Sequence, residues 1–292
     1  MKSGFVSLMG RPNVGKSTLL NSIINKKIAI ISSKPQTTRN TIRGIYNEED
    51  VQIVFVDTPG IHKPKYRLGK HLNKQAYNTA QDVDVILFIV DITEPLGSGD
   101  KFVINQLKAI KKPVILVLNK IDKIEKEKIL PKIEQYKDLY NFVEIVPISA
   151  LKKDNVDRLI NVIKKYLTDQ IKYYSNNDIT NVSDEFIIAE LVREKVLLLT
   201  EEEVPHAVTC VVEKIEVKPD ITNINVLIIV DRDNLKKIII GKDGQKIKSI
   251  GVEARKDIED YLNTKVYLDL YVKTISHWRD KNKHLTELGF KF

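Results

Sequence analysis

Near its N-terminus the chain reads FVSLMGRPNVGKSTLLNSIIN: a short apolar run, a turn carrying glycines, and then a segment with helical spacing. Gly10 to Ser17 fits G-x-x-x-x-G-K-[ST] in the strand, turn, helix setting that this pattern requires. No other stretch constrains the fold as tightly, because such a turn works only where a strand delivers backbone amides into a helix N-terminus. The amides of Asn13, Val14, Gly15, Lys16 and Ser17 are expected to wrap a β-phosphate, and Gly10 and Thr18 belong to the same nucleotide-binding turn. Lys16 is expected to reach the β- and γ-phosphates and the Ser17 hydroxyl to ligate Mg²⁺.

The rest of the first half agrees with that turn. FVSLMG, VQIVFVD, DVILFIVD, PVILVLNK and FVEIVPIS read as strands separated by amphipathic segments, and several are apolar on both faces. Such strands predict a doubly wound, mostly parallel α/β sheet, with ligands at the strands' C-terminal ends. IRGIYNEEDVQIVFVD reads as an antiparallel hairpin at one edge.

Each remaining strand end carries its own chemistry. DTPG places Asp57 to hold Mg²⁺ through a water and Gly60 to meet the γ-phosphate with its amide. NKID places the Asp122 carboxylate to accept from guanine N1–H and the 2-amino group, with Asn119 bracing the site and the Lys120 stem covering the base. Adenine offers neither donor, so the base is read as guanine. SAL supplies Ser149 and Ala150, whose amide is expected at guanine O6. The loop SSKPQTTRNTI supplies a second hydroxyl for Mg²⁺, expected from Thr38 with Thr37 as its neighbour, a choice that the sequence leaves open. Lys16, Thr38, Gly60 and Asn13 are the residues expected to act in hydrolysis, on GTP with Mg²⁺; Ser17, Thr38 and Asp57 are the metal ligands. Four stations in this order read as a translational-type P-loop GTPase domain.

Ras-type GTPases place a water-orienting glutamine directly after the DxxG glycine, and here that position is Ile61. Isoleucine neither donates nor accepts, so hydrolysis is expected to be slow or completed by another group. Asn13 offers one route, by helping to hold K⁺ where an arginine finger would put its charge. His62, Lys63 and Lys65 are expected to be exposed loop residues rather than bases.

A length of 292 residues predicts two domains. The domain limits are placed at 1–170 and 183–292, with a polar linker over 171–182. With 42% apolar and 29% charged residues, and no apolar run of about 18, the chain reads as globular and not membrane-spanning. No signal peptide is visible, and the single Cys210 fits a cytosolic protein in which it is a small buried side chain. The second half reads as α, β, β, α, a GKDG turn, α, β, and a helical tail, an α+β order. Residues 183–292 hold 18 Lys+Arg against 20 Asp+Glu, yet around GKDG there are seven basic residues between positions 236 and 256 against Asp243 and Glu253. G-x-x-G between two helices, two strands before it and a local excess of +5 match a KH domain, whose turn clamps the backbone of about four single-stranded nucleotides. Ile240, Gly241, Lys242, Asp243, Gly244, Lys246 and Lys248 are the residues expected at RNA, with Ile239, Ile240 and Ile247 as an apolar floor.

With GRPNVGKS, PQTTR, DTPGIHKP and NKID in the first domain, and GKDG, HWRD and LGF in the second, the chain resembles the Era GTPases of bacteria over essentially its whole length. That resemblance implies binding to the 3′ end of small-subunit (16S) ribosomal RNA and a role in assembling the small (30S) ribosomal subunit. It also implies a cytoplasmic protein with peripheral contact at the inner membrane, and a monomer is the default expectation. The alternative is the GTPase of a tRNA-modification complex, but no cofactor-binding domain or catalytic cysteine motif accompanies the nucleotide stations.

Overall fold

The computed structural model describes residues 1–34, 37–61, 67–201 and 203–288, with the backbone alone at 67–71 and 282. Pro35, Gln36, His62, Lys63, Lys65 and the Gly289–Phe290 part of the LGF motif lie outside the described residues. The chain divides into two compact units. One comprises Met1–Ala29, Thr38–Lys65 and Gly69–Asn181, the other Ile30–Thr37, Tyr66–Leu68 and Val182–Phe292.

The first unit runs β1 (Lys2–Met9), α1 (Lys16–Ile24), β2 (Ile42–Glu48), β3 (Val51–Asp57), α2 (Arg67–Gln81), β4 (Val85–Asp91), α3 (Ser98–Leu107), β5 (Val114–Asn119), α4 (Ile129–Lys137), β6 (Glu144–Pro147) and α5 (Val156–Ile163). The sheet order is β2-β3-β1-β4-β5-β6. The β2–β3 edge hairpin is antiparallel, whereas β1–β3, β1–β4, β4–β5 and β5–β6 are parallel. This is the doubly wound, mostly parallel sheet expected from strands apolar on both faces. All seven residues of β4 and all six of β5 are buried, because helices cover both sides. On one side Phe88, Val90, Leu116 and Leu118 pack against Ala76, Val103 and Leu107. Helix α5 buries Val156, Leu159, Ile160 and Ile163, the spacing of one helical face.

Residues 171–181 lie along the edge of this unit. Ile45 N donates to Ile179 O (2.9 Å), both Tyr173 N (2.8 Å) and Tyr174 N (3.0 Å) donate to Gln52 Oε1, and Tyr173 stacks edge-on against Phe5. The contacts give partners to Ile45 N on the outer side of β2 and to the buried Gln52 Oε1.

The second unit runs α6 (Asp184–Leu199), a short α7 (Val204–Ala207), β7 (Val208–Val217), β8 (Thr222–Val230), α8 (Asp233–Ile240), α9 (Gln245–Leu262), β9 (Val266–Thr274) and α10 (Asn282–Glu287). Helix α6 starts where Ser183 caps it, Phe186 N donating to Ser183 Oγ at 3.4 Å. β7 pairs antiparallel and β9 parallel with the central β8, which alternates buried and half-buried residues before ending in three buried ones. The order is that of the predicted KH fold, with α7 and the 3-10 turns as additions. Cys210 is buried, 8% exposed. The HWRD segment is structural here: the buried Trp278 donates from Nε1 to Ala207 O at 3.0 Å, and buried Arg279 pairs with Asp231 at 2.6 Å. Among the described residues no helix is long and apolar enough to cross a membrane.

Candidate functional site

The phosphate turn lies between the end of β1 and the start of α1, and its backbone is unusual where the sequence has the residues for it. Gly15 (φ 98°) and Asn13 (φ 65°) are left-handed, conformations that glycine and asparagine adopt at least cost. Lys16 is buried and donates from Nζ to Arg11 O (2.9 Å) and Gly10 O (3.3 Å). Burial lowers its pKa to about 8, an effect the Asp57 charge partly offsets. A lysine held by backbone oxygens in this way can exchange them for phosphate oxygens.

Three side chains from different elements meet beside it. Ser17 Oγ, in the first turn of α1, donates to Asp57 Oδ2 at 2.7 Å and lies 3.0 Å from Thr38 Oγ1. Asp57 ends β3 and is fully buried, and its Oδ1 has no hydrogen-bond partner among the described residues. Burial raises its pKa to about 6 against the pull of Lys16, Ser17 and Thr38. Two hydroxyls around a buried carboxylate with an unpaired oxygen form an all-oxygen donor set of the kind a small hard dication takes. Thr37 points elsewhere, its Oγ1 donating to Lys34 O at 2.6 Å. Thr18 is half-buried in α1 and Val14 is buried.

Gly60 approaches the phosphate turn so closely that a Cβ there would lie 2.9 Å from Pro12 backbone atoms. Ile61, next in the chain, is 4% exposed and packs in the core, while its amide donates to Gly10 O at 3.3 Å. The position at which Ras-type enzymes carry a water-orienting glutamine is thus a core position in this protein.

Asn119 ties the base-side loops to the phosphate turn, donating from Nδ2 to Val14 O (2.8 Å) and accepting at Oδ1 from Ala150 N (3.0 Å). The Ala150 amide, expected at guanine O6, is engaged with that carbonyl here. Asp122 is exposed and receives the Ser149 hydroxyl at 2.5 Å, which orients its carboxylate. Lys120 donates to Asn13 O (2.9 Å) and Asp91 Oδ2 (2.5 Å). Asp91, absent from the sequence-based set, closes β4 in the same position that Asp57 closes β3. An Asp at the end of an apolar strand was the available signal. Arg11 was likewise missed; it pairs with the buried Asp100 at 2.8 Å and so anchors the phosphate turn to α3.

In the second unit, Gly241 (φ 73°), Asp243 (φ 52°) and Gly244 (φ 73°) form the turn between α8 and α9. A Cβ on Gly241 would lie 2.7 Å from Lys246 Cβ, whereas one on Gly244 would meet nothing within 4 Å among the described residues. Lys242, Asp243 and Lys248 are exposed, and Ile240, Lys246 and Ile247 half-buried. Ile239 is different: it is fully buried and belongs to the core rather than to a floor for bases. Helical spacing explains the correction, since Ile238, Ile239 and Ile240 point in three directions and only one of them faces the sheet. Beside the turn, a cleft of about 320 Å³ runs between α9 and β9, lined by Ile247, Lys248, Gly251, Arg255, Tyr267 and Leu270 among others. The β9 residues were not anticipated, because a strand's cleft-facing edge is set by which helix covers it.

A family model described as 50S ribosome-binding GTPase matches residues 5–120, and a KH domain model matches residues 203–279. Two solved structures are each 42% identical to the chain over 100% of both chains, with a TM-score of 0.95. One is a variant of Aquifex aeolicus Era bound to GDP and AlF4⁻. The other is Era in complex with MgGDPNP and nucleotides 1506–1542 of 16S ribosomal RNA.

Proposed function

The chain belongs to the Era family of GTPases, and from that premise we propose that it is a GTP-hydrolysing switch that binds the 3′ end of 16S ribosomal RNA through its KH domain and acts in assembly of the small (30S) ribosomal subunit. The observation that carries most weight is the meeting of Ser17, Thr38 and Asp57 around a buried carboxylate oxygen with no partner among the described residues. These three residues would hold Mg²⁺, which when bound neutralises charge on the β- and γ-phosphates. Gly10 to Thr18 contribute the amide ring and Lys16 its charge, while the Gly60 amide senses the γ-phosphate. Asn119 and Lys120 hold the base pocket's wall, and Ser149 orients Asp122 toward the guanine edge, with the Ala150 amide beside it. The buried Ile61 supports a mechanism in which the attacking water is not oriented from that position; Asn13 would help to hold K⁺, which when bound would supply positive charge there.

At the KH domain, the left-handed Gly241–Gly244 turn with exposed Lys242 fits a clamp on the RNA backbone, and the α9–β9 cleft fits the bases. Residence in the cytoplasm, peripheral contact with the inner membrane and a monomeric state complete the proposal on family membership alone.

The test is affinity for a single-stranded RNA copied from the 3′ end of 16S ribosomal RNA, measured with a non-hydrolysable GTP analogue and with GDP. Tighter binding in the GTP-like state supports a switch. Equal binding in both states sinks it and leaves two tethered activities.

A further inference from the structure

Helix α3 of the GTPase unit is apolar on one side and cationic on the other. Val103, Ile104, Leu107 and, just past the helix end, Ile110 are buried in the core. Lys101, Asn105 and Lys108 recur at i, i+4 and i+7 on the solvent side, and Lys111 and Lys112 carry the row on toward β5. By helical rise, the backbones of Lys101 and Lys108 stand about 10 Å apart along the axis. Lys101, Lys108 and Lys111 are exposed and Lys112 is half-buried.

A solvated helix usually answers its lysines with carboxylates, and this one does not. Between positions 98 and 113 the acidic residue is Asp100, which is fully buried and engaged by Arg11 Nε (2.8 Å) and Gly97 N (3.1 Å). Among the described residues, none of the four lysine side chains has an ion-pair or hydrogen-bond partner. Helix α4 shows the ordinary arrangement: Lys128 pairs with Glu125 (2.9 Å), Lys137 with Glu134 (2.5 Å), and Lys132 donates to Glu94 O (3.1 Å). Residues 1–182 hold 29 Lys+Arg against 19 Asp+Glu, so the surrounding field does not neutralise the row either. Like charges at helical spacing repel one another, and a polyanion laid along them relieves that repulsion.

Of the polyanions, RNA suits this face better than a lipid surface. A helix bound in the plane of a membrane buries a whole apolar side in lipid, and that side of α3 is spent on the protein core. Phe102, 43% exposed, adds a single ring beside the lysines, enough to carry a ribose or an unpaired base.

We propose that the outer face of α3, from Lys101 to Lys112, docks the phosphate backbone of structured small-subunit ribosomal RNA, outside the single-stranded segment that the KH turn clamps. This rests on the proposed binding of 16S ribosomal RNA and adds a second contact to it. Lysine fits the role, because a point charge on a flexible stem follows a phosphate backbone without selecting bases.

The experiment uses the full chain with Lys101→Gln, Lys108→Gln and Lys111→Gln combined. A control variant, Lys128→Gln, Lys137→Gln and Lys165→Gln, loses the same charge from lysines that are paired in the structure, Lys165 with Glu144 at 3.4 Å. Each is titrated at several salt concentrations, with excess unrelated RNA, against intact 16S ribosomal RNA and against a short single-stranded RNA copied from its 3′ end. The α3 variant is expected to lose at least about tenfold in affinity for the intact RNA and to reduce its salt slope by about 2 to 3. Affinity for the short RNA and basal GTP turnover should be unchanged, and the control should stay within about twofold of the parent on both RNAs. Equal losses in the control, or on the short RNA, would reduce the effect to net charge and overturn the docking surface. An unchanged affinity for intact RNA overturns it too and leaves the proposed function standing; loss of binding to vesicles of anionic phospholipid in that case would assign the face to a membrane. If the parent protein does not bind the short RNA, the proposed function falls and the docking surface falls with it.

Discussion

Gly15 stands directly against Asn119: a Cβ on Gly15 would be 2.3 Å from Asn119 Nδ2, the nitrogen that donates to Val14 O. The phosphate turn and the guanine-side loop are thus packed as one surface, and the glycine is required twice, by its φ of 98° and by this approach. Gly15→Ala is expected to cost about 1–3 kcal/mol through the left-handed backbone and the displaced Asn119. GTP affinity should fall further than the melting temperature implies. Thermal unfolding with and without GTP checks this, and unimpaired GTP binding would show that Asn119 yields without consequence.

Asp57, as a proposed magnesium ligand, should make magnesium binding depend on pH. Its native pKa of about 6 lies above the ordinary 3.8, because burial favours the neutral form. Between those values the native state binds the extra proton, so the Asp57 contribution to stability of the nucleotide-free protein declines as pH rises from about 4 to 6. Lys16 acts in the opposite window: its native pKa of about 8, below 10.5, makes its contribution rise with pH between the two. The pair is therefore least favourable between about pH 6 and 8, where both groups are charged and buried. Mg²⁺ must displace the Asp57 proton, so its affinity should drop about tenfold per pH unit below 6. Asp57→Asn should raise the melting temperature of the nucleotide-free protein and abolish the Mg²⁺-dependent gain in GTP affinity. An unchanged melting temperature would mean that the carboxylate's burial is relieved in solution.

Hydrolysis should depend on the monovalent cation. Ile61 is sealed in the core and brings no polar atom to the water, while Asn13 presents an exposed side chain in a left-handed turn. Replacing K⁺ by Na⁺ at constant ionic strength is expected to slow turnover roughly tenfold to hundredfold, and Asn13→Ala to remove the difference. Equal rates in both salts would eliminate the cation from the mechanism.

The GKDG turn separates two kinds of RNA contact. Gly244→Asp adds no clash, since among the described residues nothing lies within 4 Å of the new Cβ, but it forces a φ of 73° and sets a negative charge where phosphate must approach. RNA affinity should fall at least about tenfold with about 1 kcal/mol of stability lost. Lys242→Ala, by contrast, removes one exposed cation and should weaken binding evenly across RNA sequences, reducing the salt slope by about 1. Titrations at several salt concentrations distinguish the two. A Lys242→Ala slope equal to that of the parent protein would place this lysine away from phosphate.

Much of this protein is determined locally and so can be read along the chain. Apolar runs such as VILFIVD report burial on both faces of a parallel sheet, and the phosphate turn, DTPG, NKID and SAL each sit within a few residues of a strand end, where chain direction alone aims them at one edge. The KH order followed from the same periodicities. Tertiary structure decided what depends on packing between distant segments. Ile239 is core and Ile61 is sealed because of what covers them, which no window of sequence contains. The Asp57 shift arises from burial by the surrounding fold. Nothing about the run AELVREKVLLL announces that Arg193 and Glu194 are buried, since on a helix of this pattern charges are expected in water. Their partners, Thr37 O and Ile31 N, are backbone atoms 156 and 163 positions away, and backbone atoms carry no sequence signal.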